Sequence, residues 1–394
     1  MARREEGRWA RHDGEWRDPA QIVALWGDAG ARDPGLLSYR ARGSWWETLA
    51  ALDVTLLVTR EYEHLVVALT VADGAPRVSY LQVPHPSGLA VDPASGSVYL
   101  ASTRNPNVVY ELAPAAGRLA RLDVRADPPP GCPLVPVRAR FLPGCLYLHD
   151  LAMIDGALHA TAVGQNAVIR LHDDGRYARM WWPRCIEAAS GPVFGGNHLQ
   201  LNSIAAGPDL ASSYFSASAD RLSERRPGHR NFPVDGRGVI FSGATREVVA
   251  RGLTRPHSAR LANGRLWVNN SGYGELGTIE DGRFVPILRL PGWTRGLAFS
   301  GSVAFVGTSR VLPRFRRYAP GLDLETSLCG VHAVDTASGR VLGSLFWPAG
   351  NQIFAIDCAP TKLTSGFPFR GGRPRSRRQE RALFYAFATR FEEG

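Results

Sequence analysis

The chain has 394 residues, 44% of them hydrophobic and 21% charged, enough for two or three ordinary domains or one large repeat-built unit. No apolar run approaches the roughly 18 residues of a membrane-spanning helix. The opening Met1-Ala2-Arg3-Arg4-Glu5-Glu6 lacks the apolar core of a signal peptide, so the expectation is a cytoplasmic protein with no membrane partner. The formal charge of +10 is carried almost wholly by arginine, Lys362 being the single lysine, and half of it sits in residues 370–381, where six arginines face one acid, Glu380. In that Pro- and Gly-rich setting the run reads as a solvated tail, or as a handle for an acidic partner. No helix-turn-helix, zinc-finger or RNP-type signature accompanies it, so no nucleic-acid partner is expected. The cysteines (Cys132, Cys145, Cys185, Cys329, Cys358) are odd in number and widely spaced, which argues against a disulfide framework or a structural zinc site.

Residues 1–43 are charged and lack a clean period, with one short helix expected around Trp9, Trp16 and residues 22–26. From Trp45 the character changes to short apolar or alternating runs broken by Gly, Asp, Asn and Pro. Residues 54–59, 65–69, 97–101, 108–112 and 167–171 read as strands. Trp45-Trp46 and Trp181-Trp182 read as packing aromatics. A unit then recurs: a small, polar or His position, an apolar pair, a Gly turn and a β-rich strand. Its copies start at Ser87, His149, Asn202, His257, Arg295 and Phe354, spaced by 62, 53, 55, 38 and 59 residues. Such units fit four-stranded blades with loop insertions, and the fold expected is all-β, a six-bladed β-propeller, with seven blades the alternative. It would span residues 44–366, between an N-terminal extension (1–43) and an Arg-rich tail (367–394). Residues 54–69 would supply outer strands of the blade that the C-terminal end completes, closing the ring and removing its free edges.

In such a ring the first strand of each blade lines the axis. The six unit-starting residues then share one axial mouth, with His85 and His198 a few residues upstream at its lip. His149 and His257 each lie seven residues before a turn glycine, Gly156 and Gly264, so both are expected to project toward the axis.

The segments 148–152, 197–205, 255–260, 264–277, 291–299, 304–309 and 329–331 together resemble a bacterial family of conserved hypothetical proteins, a domain of unknown function, over about residues 45–365. The chain departs from that pattern at Ala259, where the family usually has Pro, and in its tail. The resemblance implies a propeller and marks positions, and it carries no activity. More distantly the unit is similar to NHL-type propellers. Some of these are enzymes with an axial metal held by His from several blades, the zinc lyase of peptide amidation among them.

His149, His257, His198 and His85 form a candidate ligand set for zinc, iron or copper, since imidazole suits these metals and three His with an open position is a catalytic pattern. The alternatives are rim histidines bonded to neighbouring backbone, or metal-free acid–base work. Arg295, aimed into a confined channel, needs a carboxylate partner or an anionic substrate group. Asp150 is a candidate general base, a hydrogen-bond partner behind His257, or the mate of Arg295. Asn202 is a candidate substrate contact. Tyr273 and Glu275, in the segment 269–277, are candidates at the mouth, against a plain Asn/Gly turn. No Gly-x-Ser-x-Gly or His-Glu-x-x-His motif is present, which excludes hydrolases of those kinds. Two functions follow. One is a metal-dependent propeller enzyme (lyase, hydrolase or oxidoreductase) acting on a small or peptide-like substrate. The other is a binding or scaffold propeller for a protein or acidic partner.

Overall fold

The computed structural model describes residues 33–103, 107–117, 132–223, 225–370 and 388–389. The helix expected near Trp9–Trp26 and most of the Arg-rich tail lie outside them. Six antiparallel blades follow the chain. Their innermost strands are Pro86–Val91 (blade 1), Leu148–Ile154 (blade 2), Leu201–Ala205 (blade 3), Pro256–Ala262 (blade 4), Trp293–Ser300 (blade 5) and Ile356–Pro360 (blade 6). Each innermost strand packs on the next, and the last packs on the first. Blade 6 is the closure: its inner strand comes from the C-terminal side, and Val54–Arg60, Leu65–Ala72 and Ala75–Gln82 complete it, with Leu57 opposite Asp357. Val54–Arg60 is buried along its whole length, whereas the outermost strand of blade 4, Arg283–Arg289, is largely exposed. That gradient explains why inner and middle strands read as continuous apolar runs and outer ones as mixed.

The chain on both sides of residues 44–366 also enters the sheets. Arg40–Gly43 adds a fifth strand to blade 5, Phe369–Arg370 pairs with Ala75–Gln82, and Ala388–Thr389 pairs with Asn107–Gly117. A short helix, Trp45–Leu52, buries Trp45 and Leu49, with the Trp45 ring edge-on to Phe305 at 5.9 Å. Trp181 also packs inside, 4.1 Å from Phe215 between centroids, while the neighbouring Trp182 lies outward under Arg246.

Every blade bears a bulge in its innermost strand at the level of the unit-starting residue. Leu148 and Leu151 pair with Ala162 and Ala160, leaving His149 and Asp150 to share Thr161. Equivalent shifts occur at 86/89, 201/203, 257/260 and 294/297. In blade 6, Phe354 and Ala355 both bond Thr59. A bulge breaks the alternation of a strand and re-aims its side chains, so neighbours such as His149 and Asp150 serve different partners.

The bulges also free backbone groups, and polar side chains take them up across the blade seams. Thr59 donates to Ser87 O (2.8 Å), Ser87 to Leu148 O (3.1 Å) and Asn202 to Pro256 O (2.8 Å). Ile204 N donates to Asp150 (2.9 Å), Gly296 N to Ser258 (2.9 Å) and Ile353 N to Ser309 (2.9 Å). Together they run once around the ring. Gly296 sits at one bulge with φ +82°, and a Cβ there would lie 2.7 Å from Ile356. Gly296→Ala should therefore cost about 2 kcal/mol, read as a lower denaturation midpoint. An unchanged midpoint would mean that the seam between blades 5 and 6 is loose.

Candidate functional site

One end of the axis opens into a cavity of about 200 Å³. Three unit-starting residues line it, His149, His257 and Arg295. So do Tyr147, Gln200, Arg255, Trp293 and Gln352, each two residues before a unit start. Trp293 opens its strand and the other four precede theirs, so the entrances to the inner strands form an upper tier above the lower tier of unit-starting residues. Tyr147, Gln200 and Arg255 hold positive φ of 54°, 53° and 53°, a conformation that non-glycine residues adopt at a cost and that concentrates at functional sites. The sequence reading missed this upper tier. The signal was present, since counting back two from five of the six unit starts finds it; the sixth such position, His85, is not among the lining residues.

Two insertions roof the cavity. Residues 218–237 of blade 3 and 310–329 of blade 5 meet where Tyr318 and Arg317 both donate to Gly228 O (3.0 and 2.8 Å). Phe315, Tyr318 and Trp293 pack beneath them.

His149 and His257 lie together, ring centroids 6.1 Å apart and planes inclined by 29°. His257 Nδ1 faces Arg255 O at 2.8 Å and Ser271 Oγ at 3.0 Å. Ser271 sends its own proton to Thr294 O (2.6 Å), so both groups accept and Nδ1 must carry hydrogen. The Nε2 lone pair of a neutral His257 is thereby left over. Arg295 Nη2 donates to His149 Nε2 (3.3 Å), which puts the His149 proton on Nδ1, facing the Asn202 backbone without a well-formed bond. Burial, and then the Arg295 charge, hold both imidazoles well below their usual pKa. Both are neutral at pH 7.

The Arg295 guanidinium lies 3.3 Å over the Phe354 ring. With the Gln352 amide turned to satisfy both its ends, Gln352 accepts from Arg295 Nη1 (2.8 Å) and donates to Glu61 (3.1 Å). Arg255 stacks on Tyr318 at 4.3 Å and donates to Pro227 O (2.5 Å) and Ser218 Oγ (3.3 Å). Burial lowers the Arg255 pKa to about 10. Neither arginine is ion-paired within the described residues.

The remaining sequence candidates lie elsewhere. Asp150 is neither a free base nor the mate of Arg295, because both its oxygens are taken by Arg260 (2.7 and 3.1 Å) and one also by Ile204 N. Tyr273 is outside the cavity and donates to Asp235 (3.0 Å). Glu275 is occupied by Asn270 (2.8 Å). Asn202 bridges to blade 4. His198 sits between two carbonyls, with Nδ1 3.1 Å from Ser223 O and Nε2 3.0 Å from Gly195 O. His85 packs edge-on to His64 at 4.3 Å, with Glu61 4.0 Å away. The four histidines therefore do not converge. Among the described residues no three His, Cys, Asp or Glu are arranged to hold a metal ion, and the Arg295 charge occupies the one lone pair His149 would offer. The donor set does not fit the transition metal expected from the sequence.

The chain belongs to the DUF4915 family, a domain of unknown function, whose model matches residues 43–365. No curated protein matches it. A chain from a nidogen–laminin complex is similar in structure at 14% identity and TM-score 0.51, over 78% of this chain and 98% of its own. A protein of unknown function from Bacteroides caccae is similar at 10% identity and TM-score 0.47, over 78% and 98%. A gluconolactonase from Xanthomonas campestris is similar at 14% identity and TM-score 0.43, over 75% and 86%. At 14% identity the first of these likenesses speaks for the fold alone.

Proposed function

We propose that this DUF4915 propeller is an enzyme performing metal-independent acid–base chemistry on a small organic anion in the axial cavity. His257 is the general base and Arg295 the anion anchor. The observation that carries the reading is a neutral imidazole with its Nδ1 proton committed to Arg255 O and Ser271, in the same cavity as a buried guanidinium without a carboxylate partner. Burial keeps His257 neutral at pH 7, which leaves its Nε2 lone pair as the acceptor for a proton from the substrate carbon. Arg295, fixed by Phe354, Gln352 and His149, neutralises the substrate's charge and the charge that develops as the proton leaves. The reaction class is proton abstraction next to a carboxylate, followed by loss of a β-leaving group (elimination) or by return of the proton to carbon (isomerisation).

The test uses a pool of small carboxylic acids in D2O. Loss of α-C–H signal is followed by proton NMR, and binding by thermal shift. The wild-type protein should bind at least one acid and exchange its α-proton. His257→Gln should keep binding and lose exchange, and Arg295→Gln should lose both. Exchange that persists in His257→Gln, or a pool that neither binds nor exchanges, would overturn the reading.

A further inference from the structure

We infer that the ligand of this cavity is a dianion with two separated anionic groups on an apolar body, an alkyl or arylalkyl dicarboxylate, held by Arg295 at one end and Arg255 at the other. The inference rests on the proposed anion site at Arg295 and adds a second anchor to it. Three guanidiniums, Arg255, Arg295 and Arg310, line the cavity against one carboxylate, Glu61. Arg255 is 6% exposed. Its Nε has no hydrogen-bond partner, and neither has the Nε of Arg310. A buried guanidinium with an unused N–H and no counter-charge is costly unless something else supplies the charge, and Arg255 lines the cavity where a carboxylate would supply it.

The two anchors belong to different places. Arg295 is in the lower tier of blade 5 on Phe354, and Arg255 is in the upper tier of blade 4 on Tyr318. Both act on the His149 and His257 imidazoles, so the imidazole pair lies within the field of each. Between the anchors the wall is aromatic, with Trp293 6.0 Å from His257 and 6.1 Å from Phe315 between ring centroids. A single phosphate group would place both charges on one arginine, whereas a dicarboxylate places one on each. The cavity, about 200 Å³, is smaller than a drug-sized site and suits a ligand of one ring or less.

Calorimetric titration of the full chain with isophthalate, its half-amide 3-carbamoylbenzoate, and phenyl phosphate tests the second anchor. Isophthalate should bind the wild type about tenfold or more tighter than the half-amide. Arg255→Gln should bring the two affinities together while the half-amide still binds through Arg295. Arg255→Lys, which keeps the charge and disturbs the roof less, should fall between. Equal wild-type affinities for isophthalate and half-amide would overturn the second anchor and leave the Arg295 reading standing. So would phenyl phosphate binding tighter than isophthalate. No binding of any of the three at millimolar concentration would overturn both.

Discussion

Acidification from pH 7 toward pH 4 should lower the stability of this propeller. His149 and His257 have folded pKa values well below 6.5, and His332, enclosed between Thr308 and Ser344, is brought by burial to about 4. A histidine with a depressed folded pKa contributes stability that is full above its unfolded pKa and is lost as pH falls toward the folded one. Asp357 acts the other way. Burial raises its pKa to about 6, so its contribution is present at low pH and lost as pH rises through 6. As pH falls the unfolded chain protonates three imidazoles that the fold holds neutral, against one buried carboxyl that the fold keeps protonated, so stability falls with pH. Urea midpoints at pH 7, 6, 5 and 4 measure it directly. His332→Gln and His257→Gln should each flatten the curve, and Asp357→Asn should steepen it. A stability that stays level from pH 7 to pH 4 would mean that these imidazoles are not buried neutral groups.

The blade count and the closure were legible because the repeated unit marks the one strand per blade that cannot vary freely. The innermost strand is buried on all sides, so its copies keep the same pattern from Ser87 to Phe354. The meeting of His149 and His257 followed from the same register. The bulge was not legible. Nothing in His149-Asp150 says that one extra residue separates their facings, and without it Asp150 looks like a partner for the residues beside it. The upper tier was hidden for another reason. Its residues, Tyr147, Gln200, Arg255, Trp293 and Gln352, differ in every blade, so no type repeats and only the two-residue offset unites them. Arg255 also stood inside a motif whose histidine drew the attention. Tyr273 and Glu275 were misplaced because the turn 271–274 closes outward. The chemistry of that segment lies in Ser271, whose hydroxyl sits between His257 and the Thr294 carbonyl.

Asp150→Ala should destabilise the protein by about 3–5 kcal/mol and leave anion binding by the folded molecules unchanged. Asp150 ties three blades together. It accepts two bonds from Arg260 of blade 4 and one from the backbone of Ile204 of blade 3, while Arg260 also donates to the carbonyls of Ile204 and Ala259 (3.0 and 2.9 Å). Its side chain is 5% exposed and that of Arg260 is 20% exposed. Removing the carboxylate leaves a mostly buried guanidinium near Asp357 as its remaining counter-charge and an Ile204 N–H without an acceptor, the situation in which breaking an ion pair costs far more than the pair itself contributes. Arg260→Ala should cost a similar amount. The double variant Asp150→Ala/Arg260→Ala should cost clearly less than the two together, because the second removal takes away the group that the first left stranded. Asp150→Asn discriminates structure from chemistry, since it keeps one acceptor oxygen. It should lose about 2 kcal/mol and retain full α-proton exchange. An Asp150→Asn protein as stable as wild type but unable to exchange the proton would return Asp150 to the chemistry and remove His257 from it.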